Sequence, residues 1–369
     1  MKELKKIVIS GGGTGGHIFP ALAIAGEIKK RYPQAEILFV GAEGKMEMEK
    51  VPAAGYRIVG LPIVGLQRKL TLKNLALPFK LLKSLSLAKT ILKDFGPEVV
   101  IGVGGYASGP TLKMAQRLGI PTLIQEQNSY PGKTNRLLSK KVKAVCTAYE
   151  GLESVFPPAT IRLTGNPVRE ELKQTTIHKE EAFRAFPVLD PSKQTIFVMG
   201  GSLGARTMNE GVLYGLNQLE ASGVQVLWQC GKYYFESMKS ELASSEVKNV
   251  HVTDFIARMD AAYALADVIV SRAGALSISE LCIVGKPTIL VPSPNVSEDH
   301  QTKNAMALVK NNAAILIKDA VAKEQLISEA VALLKDENHM NELRVAIKQM
   351  AKPNATRDIV DVIETLMTN

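Results

Sequence analysis

A glycine-rich turn near the N-terminus constrains the fold of this chain more than any other stretch. Five of the six residues at 11–16 are glycine, and they separate an apolar run at 6–9 from an apolar-periodic segment at 21–28. This pattern predicts a buried strand, a sharp turn and a helix whose first amides form an anion site. The turn also fits G-x-G-x-x-G, but a dinucleotide site needs an acid about twenty residues later, and only Glu43 is near. His17 follows the turn directly, and a titratable ring there favours a functional site over a plain βα turn.

Strand candidates and helical segments alternate along the rest of the first half, as a parallel, doubly wound sheet requires. This alternation breaks at 164–168, where we expect the hinge, and the stretch at 183–192 is polar and contains prolines. A strand at 195–199 then ends in a glycine turn at 200–206, which repeats the opening pattern of strand, turn and helix. The other strand candidates are 36–40, 57–61, 99–103, 122–125, 142–146 and 161–163 in the first half, and 224–228, 250–253, 267–271 and 287–291 in the second.

This repetition predicts an α/β fold of two Rossmann-like, doubly wound parallel-sheet domains. We assign the first domain to residues 1–164, the second to 165–345 and a C-terminal helical segment to 346–369. The helix of that last segment, at about 357–367, is expected to pack back on the first domain. The carboxyl ends of both sheets are expected to face a central cleft, where ligands bind.

Composition narrows the range of partners. The net charge of +9 suits nucleotides, phospholipid headgroups or nucleic acid, but an aromatic content of 5% without interleaved basic residues disfavours nucleic acid. Cys146, Cys230 and Cys282 are far apart, which indicates reduced, buried thiols of a cytoplasmic protein rather than a metal site. No apolar run fits a signal peptide or a membrane-spanning helix.

Three further motifs follow predicted strands. The glycine turn at 102–110 offers a second anion cradle in the first domain. Small residues at 271–279 let a helix begin with free amides beside a diphosphate, and Glu280 can accept two hydrogen bonds from a ribose diol; a solvated surface acid is the alternative. Gln301 and Asn304 share one helix face, which suits sugar hydroxyls, and helix capping or solvent equally well.

Together these motifs resemble those of the MurG family, the peptidoglycan N-acetylglucosaminyltransferases that make lipid II from lipid I. The resemblance runs in order over nearly the whole chain, through 12–20, 104–110, 126–128, 165–169, 200–206 and 275–280. It implies the GT-B glycosyltransferase fold, no cofactor, and a role in cell-wall biogenesis, cell shape and cell division. Partners among other cell-wall synthesis proteins are left open.

The resemblance also implies the substrates and their contacts. The donor is UDP-N-acetylglucosamine, held mainly by the second domain, and the acceptor is lipid I, the lipid-linked muramoyl-pentapeptide diphosphate, held mainly by the first. In the first domain, the residues implied to contact the donor are Thr14, Gly15 and Gly16 across the cleft and Asn128 at the sugar region. In the second domain, the nucleotide is implied to contact Arg169 and Ser202, with the Ile256 backbone at the uracil and Glu280 at the ribose. The diphosphate is implied to contact Ala275, Leu276, Ser277, Ile278 and Ser279, and the sugar Gln301 and Asn304. The implied acceptor contacts are Gly13, Gly104, Gly105, Tyr106 and Ser108.

Two positions depart from the family pattern. Leu203 stands where the family often has Gln, so a polar contact is not expected there. Gln125 stands where His commonly precedes Glu-Gln-Asn, so a catalytic role is not expected at that position.

Charge accounting sets the expected mechanism. The donor sugar is α-linked and the product β-linked, so the family inverts by direct displacement. That reaction needs a base for the acceptor 4-hydroxyl and stabilisation of the departing diphosphate. The chain has no Asp-x-Asp motif, so no metal is expected, and helix N-termini with a basic side chain can stabilise the leaving group. His17 and Glu126 are the candidate bases, and His17 is favoured because histidine titrates near neutral pH.

Three other functions compete with this one. A UDP-N-acetylglucosamine 2-epimerase would use the same donor without a lipid, a nicotinamide dehydrogenase would bind NADH, and a sugar-nucleotide sensor would bind the donor and transfer nothing.

A basic, apolar segment at 61–93 favours the lipid-linked acceptor. It contains no acid, and its basic residues are Arg68, Lys69, Lys73, Lys80, Lys83, Lys89 and Lys93. A helix from Pro78 to about Lys93 would turn Leu81, Leu85, Ala88 and Leu92 towards the sheet and leave Leu87 and Ile91 beside lysines. This pattern is typical of an interfacial helix, and we expect peripheral attachment to an anionic membrane surface, the cytoplasmic face of the inner membrane. A helix buried on two sides with solvated lysines is the alternative.

Overall fold

The computed structural model describes residues 3–63, 77–169, 172, 177–201 and 203–367. The chain divides into two compact units: Met1–Val168 with Pro353–Asn369, and Arg169–Lys352. Each unit is built around its own parallel sheet.

The first unit contains a seven-stranded sheet with the order β3-β2-β1-β4-β5-β6-β7. All of its strand pairings are parallel. The order reverses between β1 and β4, which makes their carboxyl ends the topological switch point where ligands bind in such sheets. The strands are β1 Lys6–Ser10, β2 Glu36–Ala42, β3 Arg57–Leu61, β4 Val99–Gly102, β5 Thr122–Glu126, β6 Ala144–Thr147 and β7 Ile161–Leu163.

Helices cover both faces of this sheet, because neighbouring strand residues point to opposite faces. Ile7 and Ile9 pack against the first helix, and Val8 between them packs on the other face with the third and fourth helices. The helices are α1 Gly15–Arg31, α2 Glu47–Ala53, α3 Leu77–Phe95, α4 Ser108–Arg117 and α5 Lys133–Leu138.

The second unit repeats this plan with a six-stranded parallel sheet in the order β10-β9-β8-β11-β12-β13. Its switch point lies between β8 and β11. The strands are β8 Thr195–Met199, β9 Gln225–Gln229, β10 Val250–Thr253, β11 Val268–Ser271, β12 Thr288–Leu290 and β13 Ile315–Leu316. The helices are α6 Lys179–Ala185, α7 Arg206–Tyr214, α8 Leu216–Ser222, α9 Phe235–Ala243, α10 Met259–Leu265, α11 Ala275–Val284, α12 His300–Val309, α13 Ala322–Leu334 and α14 Glu337–Gln349.

The predicted strands are confirmed, with ends that differ by one or two residues. Strand β13 is absent from the sequence prediction because two residues are too short to show a period. The prediction of two doubly wound α/β domains is confirmed by the two sheets and their strand orders.

The last helix, α15 Ala355–Thr365, belongs to the first unit, where its apolar face packs beside α1. Arg31 at the end of α1 donates hydrogen bonds to Asp361 and Glu364 of α15 and to Glu27 of its own helix. Three carboxylate partners raise the pKa of Arg31 above its usual value against the opposing effect of burial. Helix α15 therefore packs against and stabilises α1, the helix that contains His17.

Helix α3 differs from its predicted orientation. Ala88 and Leu92 are buried as expected, but Leu87 and Ile91 also pack against the core, because α3 contacts both β3 and α4 and so buries a wide arc. Leu81, predicted to face the sheet, is exposed instead. The alternative of a helix buried on two sides therefore describes the second half of α3.

The first two turns of α3, residues 77–83, project beyond that core. Phe79 is 75% exposed and Leu82 64% exposed, and the neighbouring Lys80 and Lys83 are exposed as well. Arg68, Lys69 and Lys73 of the basic segment lie outside the described residues. Among the helices that the structure describes, none is both long and apolar enough to cross a membrane.

Candidate active site

Two glycine turns lie side by side at the switch point of the first unit. They follow β1 and β4, whose last residues, Ser10 and Gly102, are paired in the sheet. Gly105 has a φ of +87°, and a side chain there would overlap the carbonyl oxygen of Gly12. The turns therefore touch through bare backbone, which only glycine permits, and the two predicted anion cradles form one surface.

His17 lies in the first turn of α1, against the second glycine turn. Its Nδ1 is 3.0 Å from the carbonyl oxygen of Gly12 and 3.5 Å from Oγ1 of Thr14. A Cβ at Gly104 would lie 2.8 Å from Nε2 of the imidazole, so the ring packs on the Gly104 backbone. A carbonyl oxygen can only accept a hydrogen bond, so the contact with Gly12 requires the proton on Nδ1. In the neutral ring the lone pair then lies on Nε2, the nitrogen that can take a proton.

Glu47 lies beneath this turn, and the sequence analysis did not identify it. Its side chain is buried, with Oε2 accepting from the Gly13 amide at 2.8 Å and Oε1 from the Ala42 amide at 3.0 Å. Gly13 was predicted to contact the lipid acceptor, but its amide already donates a hydrogen bond to Glu47. The only signal in the sequence is position: Glu47 follows β2, and the carboxyl end of β2 neighbours that of β1.

Glu126 is buried at the end of β5, where four N–H groups surround its carboxylate. Oε1 accepts from the backbone amide of Asn128 at 3.0 Å and from its side-chain amide at 3.3 Å. Oε2 accepts from the Gly132 amide at 3.1 Å and from Nδ2 of Asn135 at 2.8 Å. This arrangement organises the loop after β5.

Gln125 has a structural role next to Glu126. It is fully buried, and its Nε2 donates to Oδ1 of Asn166 at 2.9 Å. The side chain of Gln127 donates to the Val103 carbonyl, which ties the same loop to the end of β4.

Some residues of the second glycine turn that were predicted to bind the lipid acceptor form hydrogen bonds within the turn itself. Ser108 is buried and donates from Oγ to the carbonyl oxygen of Gly105 at 2.9 Å, which closes the turn. Tyr106 is half exposed at the tip of the same turn.

In the second unit, two residues predicted to bind the sugar donor contact each other. Nε of Arg169 is 3.1 Å from Oε1 of Glu280, whose side chain is 9% exposed while that of Arg169 is 53% exposed. The hydroxyl of Tyr263, unnoticed in the sequence, donates to Oε2 of Glu280 at 3.2 Å. Burial, and then the Glu280 charge, raise the pKa of Tyr263 well above its usual value, so the hydroxyl keeps its proton. Glu280 is therefore a buried, oriented carboxylate rather than a solvated surface acid.

The N-terminus of α11 follows β11 at the switch point of the second unit. Gly274 precedes the helix in an extended conformation, and residues 275–279 form its first turns, as predicted for a diphosphate cradle. Arg272, in the loop between β11 and α11, donates to the Val291 carbonyl at 3.0 Å and forms an ion pair with Asp319. These contacts hold that loop in place.

Other residues predicted to bind the sugar donor lie elsewhere in the second unit. Gln301 and Asn304 are on α12; Oε1 of Gln301 accepts from the Ser293 amide at 2.9 Å, and Asn304 is buried. Ile256 follows β10 and is buried, and Leu203 follows β8 and is exposed. Ser202 lies outside the described residues. Nowhere in the described part of the chain do three or more His, Cys, Asp or Glu side chains form a group that could hold a metal ion.

Comparison with known proteins identifies the class. Residues 7–147 match the glycosyltransferase family 28 N-terminal domain, and residues 195–364 match the glycosyltransferase family 28 C-terminal domain. The two doubly wound units and these matches define a GT-B glycosyltransferase of family 28.

Relatives define the family more closely. The chain is 59% identical over 352 residues to the UDP-N-acetylglucosamine--N-acetylmuramyl-(pentapeptide) pyrophosphoryl-undecaprenol N-acetylglucosamine transferase of Phocaeicola vulgatus, covering 95% of this chain and 93% of the relative. It is 31% identical to the crystal structure of Acinetobacter baumannii MurG, with a TM-score of 0.80 and coverage of 98% of this chain and 99% of the other. The chain belongs to the MurG family of N-acetylglucosaminyltransferases.

A more distant neighbour shares the fold alone. The UDP-GlcNAc 2-epimerase from Neisseria meningitidis is 17% identical, with a TM-score of 0.68 and coverage of 98% of this chain and 100% of the other.

Proposed function

We propose that this chain transfers N-acetylglucosamine from UDP-N-acetylglucosamine to the 4-hydroxyl of the muramoyl-pentapeptide of lipid I, with inversion, and so makes lipid II for peptidoglycan synthesis. The identity to transferases of that name over nearly the whole chain supports the substrates. The observation that carries the mechanism is the imidazole of His17, held against the Gly12 carbonyl through Nδ1.

His17 acts as the general base. Nε2 removes the proton of the acceptor hydroxyl as its oxygen attacks C1 of the donor sugar. The bond from C1 to the diphosphate oxygen breaks at the same time, its electron pair leaves with UDP, and the imidazole becomes an imidazolium. The amides of the second glycine turn and the positive end of the α1 dipole bind the acceptor diphosphate next to the base.

The second unit binds the donor. Glu280 accepts hydrogen bonds from the ribose hydroxyls, and the Tyr263 hydroxyl keeps the carboxylate oriented for them. The amides at 275–279 bind the diphosphate and stabilise the charge that develops when UDP leaves. Arg169, which is half exposed and already beside Glu280, can reach the nucleotide with little rearrangement.

One assay tests the reaction against its rivals. We expect radiolabelled N-acetylglucosamine to pass from UDP-N-acetylglucosamine to a lipid I analogue, and His17→Ala to abolish most of that transfer. Label recovered as an epimerised sugar nucleotide would instead indicate an epimerase. Donor binding without any transfer would indicate a sensor.

The first two turns of α3 support attachment to an anionic membrane surface. Phe79 and Leu82 expose apolar area, and Lys80 and Lys83 flank them with positive charge, which together suit an interface of headgroups and acyl chains. We assign this surface to the cytoplasmic face of the cell membrane, where the nucleotide donor is available.

Vesicle sedimentation tests the attachment. Each lysine near an anionic leaflet contributes about 1 kcal/mol, so changing both Lys80 and Lys83 to Glu should weaken binding to vesicles containing phosphatidylglycerol at least about 30-fold. The matched control changes Lys89 and Lys93 to Glu, which alters the same charge near the other end of the same helix. Equal weakening by both pairs would show that net charge, not the start of α3, drives the binding.

A further inference from the structure

One peptide group joins His17 to a buried carboxylate. The carbonyl of Gly12 and the amide of Gly13 belong to the same peptide bond. The carbonyl oxygen accepts from Nδ1 of His17 at 3.0 Å, and the amide donates to Oε2 of Glu47 at 2.8 Å. Carboxylate, peptide and imidazole therefore form a continuous hydrogen-bonded chain.

The geometry around Glu47 suits the ionised form. Each carboxylate oxygen accepts from one backbone amide, Gly13 or Ala42, and hydrogen bonds donated by N–H groups favour the charged form of a carboxylate. Because the side chain is only 1% exposed, this charge is poorly screened by solvent. Its field acts on the peptide that it contacts.

The turn leaves no other position for that peptide. Gly12 has a φ of +146°, and a side chain there would overlap the Glu47 carboxylate. On the opposite side, Gly105 packs on the Gly12 backbone. The peptide between Gly12 and Gly13 is thus clamped between a carboxylate and a second glycine turn.

We infer that Glu47 is a positioning residue for His17, which acts through the Gly12–Gly13 peptide to hold the imidazole as its Nδ1–H tautomer and to stabilise the imidazolium formed during transfer. This inference rests on the proposed function of His17 as base.

The physical reason is polarisation along the chain of hydrogen bonds. A carboxylate that accepts from one end of a peptide increases the negative charge on the carbonyl oxygen at its other end. That oxygen becomes a stronger acceptor for Nδ1–H, and stronger still when the ring is cationic. In the neutral ring the lone pair then lies on Nε2 in every molecule.

Nitrogen NMR of the histidine side chains tests the inference without any substrate. In the free protein at a pH where imidazoles are neutral, we expect His17 to show a protonated Nδ1 and an unprotonated Nε2. The chain has five histidines, so His17→Gln is used to assign the signals. A wild-type His17 with the proton on Nε2 would overturn the inference, whatever any variant does.

The variant Glu47→Gln tests the role of the carboxylate. Glutamine has one acceptor oxygen for two backbone amides, so the peptide loses the charge and either Gly13 or Ala42 loses its partner. We expect a mixture of His17 tautomers and a loss of kcat of about tenfold, the order of one hydrogen bond to a charged group, with little change in donor KM. Glu49→Gln, an exposed acid on the same helix, is the matched control and should leave both readouts unchanged.

The two readouts separate this inference from the proposed function. If Glu47→Gln lowers kcat but leaves the His17 tautomer unchanged, Glu47 only supports the fold of the turn and the inference fails. If the wild-type protein shows the expected tautomer but transfers no sugar to a lipid I analogue, the proposed function fails, while the link from Glu47 to His17 stands.

Discussion

Replacing Glu280 by Gln tests the donor site at its most defined contact. The carboxylate is buried and receives a hydrogen bond from Tyr263 and an ion pair from Arg169. Glutamine keeps the shape and one acceptor oxygen but removes the charge that two ribose hydroxyls would share. The variant therefore changes the chemistry of the site with little change in its volume.

The expected loss follows from the hydrogen bonds involved. A hydrogen bond to a charged group contributes about 1.5–3 kcal/mol, and 1.36 kcal/mol corresponds to a tenfold change in affinity, so UDP should bind roughly 10- to 150-fold more weakly. Stability should change less, because the partner that loses its ion pair, Arg169, is half exposed and an exposed pair contributes at most about 1 kcal/mol.

Titration calorimetry with UDP and with 2′-deoxy-UDP measures this loss. The wild-type protein should prefer UDP, and Glu280→Gln should bind both nucleotides with similar, weakened affinity. The control is Glu181→Gln, which removes a carboxylate from an exposed pair with Arg258 in the same unit and should leave both affinities unchanged. An undiminished preference for UDP in Glu280→Gln would refute the ribose contact.

Two further predictions concern the first unit. His17→Ala should lower kcat on the order of 10²–10⁴-fold with donor KM nearly unchanged, as measured by initial rates of sugar transfer; a raised KM with normal kcat would mean that His17 binds phosphate instead. Gly105→Ala should lower the free energy of unfolding, measured in urea, about 1–3 kcal/mol more than Gly119→Ala does. Both residues have a positive φ, but of the two only Gly105 packs on another backbone segment. Equal losses in the two glycine variants would show that the turns do not depend on their mutual contact.

Local sequence determined the elements of this fold. Alternating strand and helix periods, with glycine turns after 6–9 and 195–199, were enough to predict two doubly wound parallel sheets. These patterns were enough because the strands of a parallel sheet covered on both faces are continuous apolar runs. The tight turns after them need glycine, because other residues rarely adopt the required backbone conformations. Helix α3 shows the limit of such patterns: periodicity alone did not reveal that Leu87 and Ile91 would pack against the core while the first two turns of the helix stay exposed.

The partners of the functional side chains were decided by tertiary structure. His17 and Glu280 stand out in the sequence because each follows a glycine or small-residue turn. Glu47 and Tyr263 do not, because a lone acid after a strand and a lone tyrosine in an apolar helix have no local pattern of their own. Their roles arise when the fold brings separate helices and turns together at the carboxyl ends of the strands, where burial leaves each polar atom only the partner that the fold supplies.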